Sequence, residues 1–323
     1  MEDLTGERRL IRKMNDFLSS RQSIYCTGGL RRYNQSSYSD MLLKDITNGY
    51  SFLLSSLTSD HKDSFDIQPA NDRLEQLLSF HSYRWLEHEL DDLLRDISYY
   101  LIINGKAYVE IVTWTNAKGK TDSKQTNSEE VIGLSLEPIF VKRGILLRGH
   151  YWFIGKDIKG DTVPFRVEKR RIICFDLKDL QIKRNYFVRL LKRLSRIDLL
   201  NSTELSLNPK LKGKYSFTDH AQKNDFLLLK YTRKVYWYGR RGDNQYLSES
   251  YLSYRAACFK LWRKGLLDYL IKKLNTGLRR FAQELNYDGS IITKEMDYDF
   301  QKEFLRYSKG EINTEQLTNI VFH

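Results

Sequence analysis

The chain has 323 residues, 41% hydrophobic and 13% aromatic, with a net charge of +12 and a pI near 9.4. That length can bury a sizeable core in one large or two modest domains, and that composition excludes a disordered chain. No apolar run approaches the ~20 residues that cross a bilayer, MEDLTGERRL lacks the apolar core of a secretion signal, and Cys26, Cys174 and Cys258 lie too far apart for a disulfide framework or a zinc site.

A soluble protein made in a reducing cytoplasm is therefore expected. Its charge favours polyanionic partners, nucleic acid ahead of an anionic membrane surface.

Residues 1–20 predict a short charged helix, and 19–40 a loop rich in Ser, Tyr and Gly. Its Cys26-Thr-Gly-Gly-Leu lacks the Gly-Lys-Ser/Thr that would hold a phosphate. Leu42, Ile46, Tyr50, Leu53 and Leu57 recur at helical spacing over 41–57. The polar stretch 59–71 reads as a connection, and a helix resumes with Asp72 as its N-cap. The strongest pattern spans 86–114. Leu86, Leu90, Leu93, Leu94, Ile97 and Leu101 form an apolar stripe, opposed by Glu87, Glu89, Asp91, Asp92 and Asp96. Asn104-Gly105 ends that helix, and residues 107–114 suit a half-buried strand.

Residues 116–130 are polar and predict a surface loop or hairpin tip. Short strands are expected at 131–136, 139–141, 145–147, 151–154, 163–167 and 171–175. A basic amphipathic helix is predicted over 182–200, with Val188, Leu191, Leu194 and Ile197 opposed by Lys183, Arg184, Arg189, Lys192, Arg193 and Arg196. That pattern fits a docked helix with a solvated face or a membrane-surface helix. Strands are expected at 226–230 and 235–238, then a turn at 239–243. The longest helical pattern runs over 248–285, through Gly265 and Gly277, and would be about 55 Å long. A turn, a small strand at Ile291-Ile292 and one or two short helices over 300–320 follow.

Charge is segregated. Residues 142–284 hold 33 basic and 13 acidic side chains, so that stretch carries +20 and the remainder −8. Two clusters there suit phosphate. Tyr231, Arg233, Lys234, Tyr236, Trp237, Tyr238, Arg240 and Arg241 interleave cations with aromatics, as single-strand binders do, although some of those aromatics also fit core-facing strand positions. The long helix carries Arg255, Lys260, Arg263, Lys264, Lys272, Lys273, Arg279 and Arg280, a rod suited to phosphate contact without base reading or a solvated face of a packed helix.

Catalytic constellations are scarce. His88-Glu89 begins like a zinc-protease helix, but Asp92 stands where the second imidazole is needed. Glu110 could serve a metal-dependent nuclease, yet Val112 occupies the position that a carboxylate–lysine site gives to Lys.

A helix ending in an apolar run and followed by Gly105-Lys-Ala-Tyr-Val-Glu-Ile111 resembles the tailed-bacteriophage portal protein family, of which this would be a shortened or divergent member. There a helix leads into a Gly-Asn-Ala-Tyr-type turn and a wing-domain strand. Gly105, Ala107, Tyr108, Val109, Glu110 and Ile111 fit, and Lys106 stands where Asn is usual. The motif covers 97–111, and element order extends the likeness over roughly 40–323. The resemblance implies an α+β fold, with helices packed on a small mixed or antiparallel β wing domain plus a long stem-like helix. It divides the chain into an N-terminal arm (1–40), a wing-like domain (41–247), the stem-like helix (248–285) and a clip-like region (286–323). Residues 226–230 would be the apolar strand before the stem.

The implied function is structural rather than enzymatic: one subunit of a homo-oligomeric ring through which double-stranded DNA is packaged and ejected. Terminase and capsid or head-completion proteins would be its partners, and the virion its location after assembly in a host cytoplasm. No cofactor, metal or membrane is implied. Arg255, Arg263, Lys264, Lys272, Lys273, Arg279, Arg280, Arg240 and Arg241 would touch DNA. A monomeric or dimeric DNA- or RNA-binding protein is the alternative, and a metal-dependent nuclease the third reading.

Overall fold

The structure, a computed structural model, describes residues 37–47, 49–50, 65–69, 72–79, 86–116, 130–139, 141, 144–156, 162–207, 217–239, 248–293 and 300–322. The predicted N-terminal helix, most of the 116–130 loop and Arg240 and Arg241 lie outside these residues. In chain order the elements are α1 (Ser37–Thr47), β1 (Phe65–Gln68), α2 (Asp72–Ser79), α3 (Leu86–Asn104), β2 (Lys106–Asn116), β3 (Glu130–Ile139), β4 (Ile145–Leu147), β5 (His150–Lys156), β6 (Thr162–Glu168) and β7 (Ile172–Asp176). Then come α4 (Tyr186–Leu207), α5 (Phe217–Tyr231), α6 (Glu249–Leu278), α7 (Ala282–Leu285), β8 (Ser290–Thr293), α8 (Phe300–Ser308) and α9 (Thr314–Phe322). The fold is α+β. Its strands form three antiparallel sheets, ordered β3-β2-β7, β4-β5-β6 and β1-β8.

Helix α3 buries Leu90, Leu94, Ile97 and Leu101, as its spacing predicts. Gly105 ends it at φ +76°, its N–H donating to the Leu101 carbonyl at 2.8 Å. No larger residue fits, because a β-carbon there would strike the Arg184 carbonyl oxygen and lie 2.7 Å from Arg184 Cβ. Positive φ is itself unfavourable for residues with a β-carbon. The Gly105 carbonyl accepts from the Leu177 N–H at 3.2 Å, joining the corner to the end of β7.

Asp176 holds the same joint electrostatically. Arg184 Nε lies 2.8 and 3.0 Å from its two carboxylate oxygens, Arg184 Nη2 also donates to it, and Lys106 Nζ is 3.5 Å away. Burial pushes the Asp176 carboxyl up, but hydrogen bonds from Arg184 and the Lys178 N–H, with the Arg184 and Lys106 charges, hold it below its ordinary value.

Tyr108 connects this corner to the second sheet. Its ring is buried edge-on against Tyr151 and Phe153, and its hydroxyl accepts from the Gly144 N–H at 3.2 Å. Phe153, Phe165, Val167 and Tyr151 close the inner face of β4–β6 over this ring.

Helix α6 spans 30 residues, about 45 Å. Both internal glycines are accommodated in it, and it stops at Leu278, short of the predicted end. Arg255 to Phe259 are five consecutive buried residues, more than one helical turn, so α6 is enclosed there rather than laid on a surface. A side chain at Gly277 would collide with Ile173, which is how closely α6 presses on β7.

Several sequence expectations change: Phe65–Gln68 of the expected connection form β1, and β3 runs unbroken to Ile139 where separate strands over 131–136 and 139–141 were expected. Residues 226–230 belong to α5, and 232–236 form turns, where strands were expected. Leu227-Leu-Leu is a short apolar run that fits either geometry, and packing of Leu228 on the core selects the helix. That element therefore does not match the strand implied by the portal resemblance. Nor do the boundaries at 248 and 286 separate cores: β8 pairs with β1, α9 packs on α6 through Leu317 and Ala257, and one cluster runs from Leu42 to Ile291.

Gly105→Ala should cost roughly 2–4 kcal/mol, combining positive φ with a backbone collision. Exposed Gly265, where an added Cβ meets nothing within 4 Å, should gain about 0.5–1 kcal/mol as Ala. Urea unfolding of both variants checks the contrast.

Because Asp176 titrates below its unfolded value, its contribution is present at neutral pH and is lost as pH falls below about 4. Asp176→Asn should cost about 1–2 kcal/mol at pH 7, a figure reduced because Arg184 stays partly solvated. Its urea midpoint should converge on that of the native chain in acid.

Candidate nucleic-acid interface

The long helix was expected to present a row of cations, but a helix turns about 100° per residue and its cations emerge on several sides. Arg255 points into the core at 4% exposure. Its Nη2 donates to Thr232 Oγ1 and to the Trp237 carbonyl, both at 2.9 Å. Thr232 Oγ1 also lies 2.6 Å from that carbonyl, and Trp237 Nε1 donates to Asp45 at 2.7 Å. The guanidinium thus ties α6 to the chain that follows α5.

Arg263 sits 5.6 Å over the Tyr50 ring and donates to the Gly49 carbonyl at 3.4 Å. Burial lowers its pKa, only partly offset by Tyr50 and nearby acids. Tyr50 is buried with its hydroxyl 2.6 Å from Ser98 Oγ, and burial raises its pKa to about 12. Arg255 is a structural cation here, and the expectation that it touches DNA is corrected by its burial, whereas Arg263 is half-buried against Tyr50 and Gly49.

Lys264 lies 3.2 Å from Asp268 and Lys273 lies 2.8 Å from Asp179. Arg280 is exposed but donates to the Arg170 and Ile172 carbonyls at 3.2 and 2.9 Å, fastening the end of α6 to the edge of β7. Lys272 and Arg279 remain open to solvent. They line a groove of about 810 Å³ between α6 and the β1–β8 ribbon, whose wall also carries Asp66 and Asp268. Asn275 forms its floor, bonding Ile291 through both amide atoms at 2.7 and 2.8 Å. Two acids beside two cations leave this groove only a weak, salt-sensitive hold on phosphate.

The remaining sequence candidates fare unequally. Glu110 is buried at 2% exposure in mid-β2, flanked across the strands by Glu137 and Ile172, out of a substrate's reach. Among the described residues no group of three or more His, Cys, Asp and Glu side chains could hold a metal ion. Burial raises the Cys174 and Cys258 thiols, leaving them weak nucleophiles. No helix of the described residues is long and apolar enough to cross a membrane.

What sequence reading missed is the role of aromatic faces. Cation–ring pairs such as Arg263 on Tyr50 and Lys234 on Tyr186 join residues distant in sequence, and no local pattern announces them. Comparison with protein-family models finds no match, and comparison with curated proteins finds none.

Replacing Arg255 by Leu should cost about 2–3 kcal/mol, since a buried hydroxyl and carbonyl lose their charged donor. Lys272→Ala should stay within about 0.5 kcal/mol of the native chain, as surface changes do. Thermal and urea unfolding of the pair tests whether Arg255 is structural.

Proposed function

We propose that the chain is a structural subunit of a portal-like ring that conducts double-stranded DNA during phage packaging and ejection. The observation that carries this reading is the use made of the motif residues. Gly105 occupies a corner no other residue fits, and Tyr108 is the hinge on which an outlying three-stranded sheet is mounted. A helix, a glycine corner and a sheet set off from the core are the features the portal resemblance asks for.

That sheet also has a flank suited to neighbours. Its inner face is filled by Phe153 and its companions, whereas Ile145, Leu147, Trp152 and Ile154 face solvent, Ile154 at 64% exposure. Among the described residues β4 pairs only with β5, so its Ile145-Leu146-Leu147 edge carries neither charge nor proline to discourage pairing. The β6 edge does carry Pro164, Arg166 and Glu168. A ring needs one such patch meeting a different surface on the next copy. Terminase and capsid or head-completion proteins would dock on the assembled ring in a virion. No catalytic role is proposed.

The competing reading is a small nucleic-acid-binding protein. It is favoured by the burial of Arg255, which interrupts the continuous basic lining a channel helix would offer.

Multi-angle light scattering and negative-stain imaging at micromolar concentration should show closed rings. Trp152→Lys combined with Ile154→Lys should reduce them to single chains with unchanged circular dichroism. A native chain that elutes as a single copy overturns the ring. Within rings, Lys272→Ala with Arg279→Ala should lower DNA retention in a salt-dependent way without dispersing the oligomer.

A further inference from the structure

A second surface, separate from α6's groove, brings cations and aromatic rings together. The start of helix α4 and the end of α5 meet at Tyr186 and Tyr231, where the Tyr186 hydroxyl donates to the Tyr231 carbonyl at 3.5 Å. Arg193 lies 5.2 Å over the Tyr231 ring and Lys234 lies 5.7 Å over Tyr186. Burial raises Tyr186 to about 12, while the charges of Arg233, Arg193 and Arg255 act against that rise, which places all three cations around one ring. Arg193, Arg233 and Lys234 are exposed, and among the described residues no carboxylate is ion-paired with any of them.

Three tyrosines adjoin these cations. Tyr236, Tyr251 and Tyr254 are each about two-fifths exposed, among the few large side chains of this kind left in solvent. The Tyr236 and Tyr251 rings both lie 5.9 Å from the guanidinium of the same buried cation, Arg255. The Tyr254 hydroxyl feels both of them, after its larger interaction with Cys258.

Tyr236 is held outward at φ +59°, a conformation unusual for an aromatic residue, by its N–H bond to the Thr232 carbonyl at 2.8 Å. Thr232 is in turn fixed by Arg255. The buried arginine thus serves as the rivet of the platform.

We propose that this face binds single-stranded nucleic acid, its bases stacking on Tyr236, Tyr251 and Tyr254 and its phosphates meeting Arg193, Arg233 and Lys234. Duplex DNA hides its base faces and could use only the cations. Exposed rings beside unpaired cations suit a strand whose bases are splayed. An anionic membrane would reward deep apolar insertion, which phenols, suited only to the headgroup level, do not supply. This assignment does not depend on the ring reading, because it draws on no residue of the β4–β6 sheet or of the α6 groove.

Fluorescence anisotropy with labelled twenty-nucleotide oligo-dT and oligo-U probes it in the full chain. Tyr251→Leu with Tyr254→Leu, which keeps apolar bulk and removes the rings, should weaken binding about tenfold or more. Arg233→Ala with Lys234→Ala should weaken it and lower the slope of log affinity against log salt by about 0.7 per lost phosphate contact. Lys272→Ala with Arg279→Ala should leave it unchanged, so failure here is distinguishable from failure of the ring. The assignment is overturned if the tyrosine pair binds as the native chain does. It is equally overturned if a duplex of the same length binds as tightly, or if phosphatidylserine vesicles outcompete the oligonucleotides.

Discussion

At residue 105 there is no room for a β-carbon, and the rest of the architecture follows from that. The chain leaves α3 in a left-handed turn beneath the Arg184 backbone, so β2 begins against the segment that precedes α4. Arg184 and Lys106 converge on Asp176, which closes β7 against the start of β2. The ladder Lys106↔Asp176 to Glu110↔Ile172 then places Tyr108 where the second sheet can mount on it. A glycine fixes the path, an ion pair locks it and a tyrosine extends it.

Helix α6 completes the core by entering where the β2–β7 surface is open. Gly277 lets it approach Ile173, and Tyr269 binds the ends of β7 through three polar contacts: the Asp176 N–H at 2.8 Å, the Asp176 carbonyl at 3.2 Å and Asp179 at 3.0 Å. Burial raises the Tyr269 hydroxyl well above its ordinary pKa, so it stays a neutral donor throughout the physiological range. The same enclosure explains Arg255 and Arg263. A buried guanidinium is tolerable only with hydrogen-bond acceptors or a ring face, and both residues find them on the chain wrapped around the helix.

The α3–Gly105–β2 corner was legible because helix period, glycine and strand composition agree within twenty-odd residues, and the strands from 130 to 176 were legible for the same local reason. Residues 226–230 were not, since three consecutive leucines satisfy both periods and only the core decides between them. The β1–β8 pairing joins Phe65 to Thr293, and Trp237 reaches Asp45, separations across which one sequence carries no signal. The site reading failed where it counted cations without their angular phase. Arg255 and Lys272 belong to one charge-rich helix, yet one is a core residue and the other a surface one.

The manner in which the chain accommodates its charge bears on every functional reading. A cation paired with a carboxylate loses its field beyond a Debye length, because the pair is neutral. A cation on a tyrosine face, or one bonded to carbonyls, is satisfied locally and keeps its full charge. Arg193, Lys234 and Arg255 rest on tyrosines, and Arg280 bonds to carbonyls, whereas Lys264, Lys273 and Arg184 are paired with acids. Packing therefore orders part of the basic half without neutralising it, which is how a stretch carrying +20 folds and still keeps much of its field.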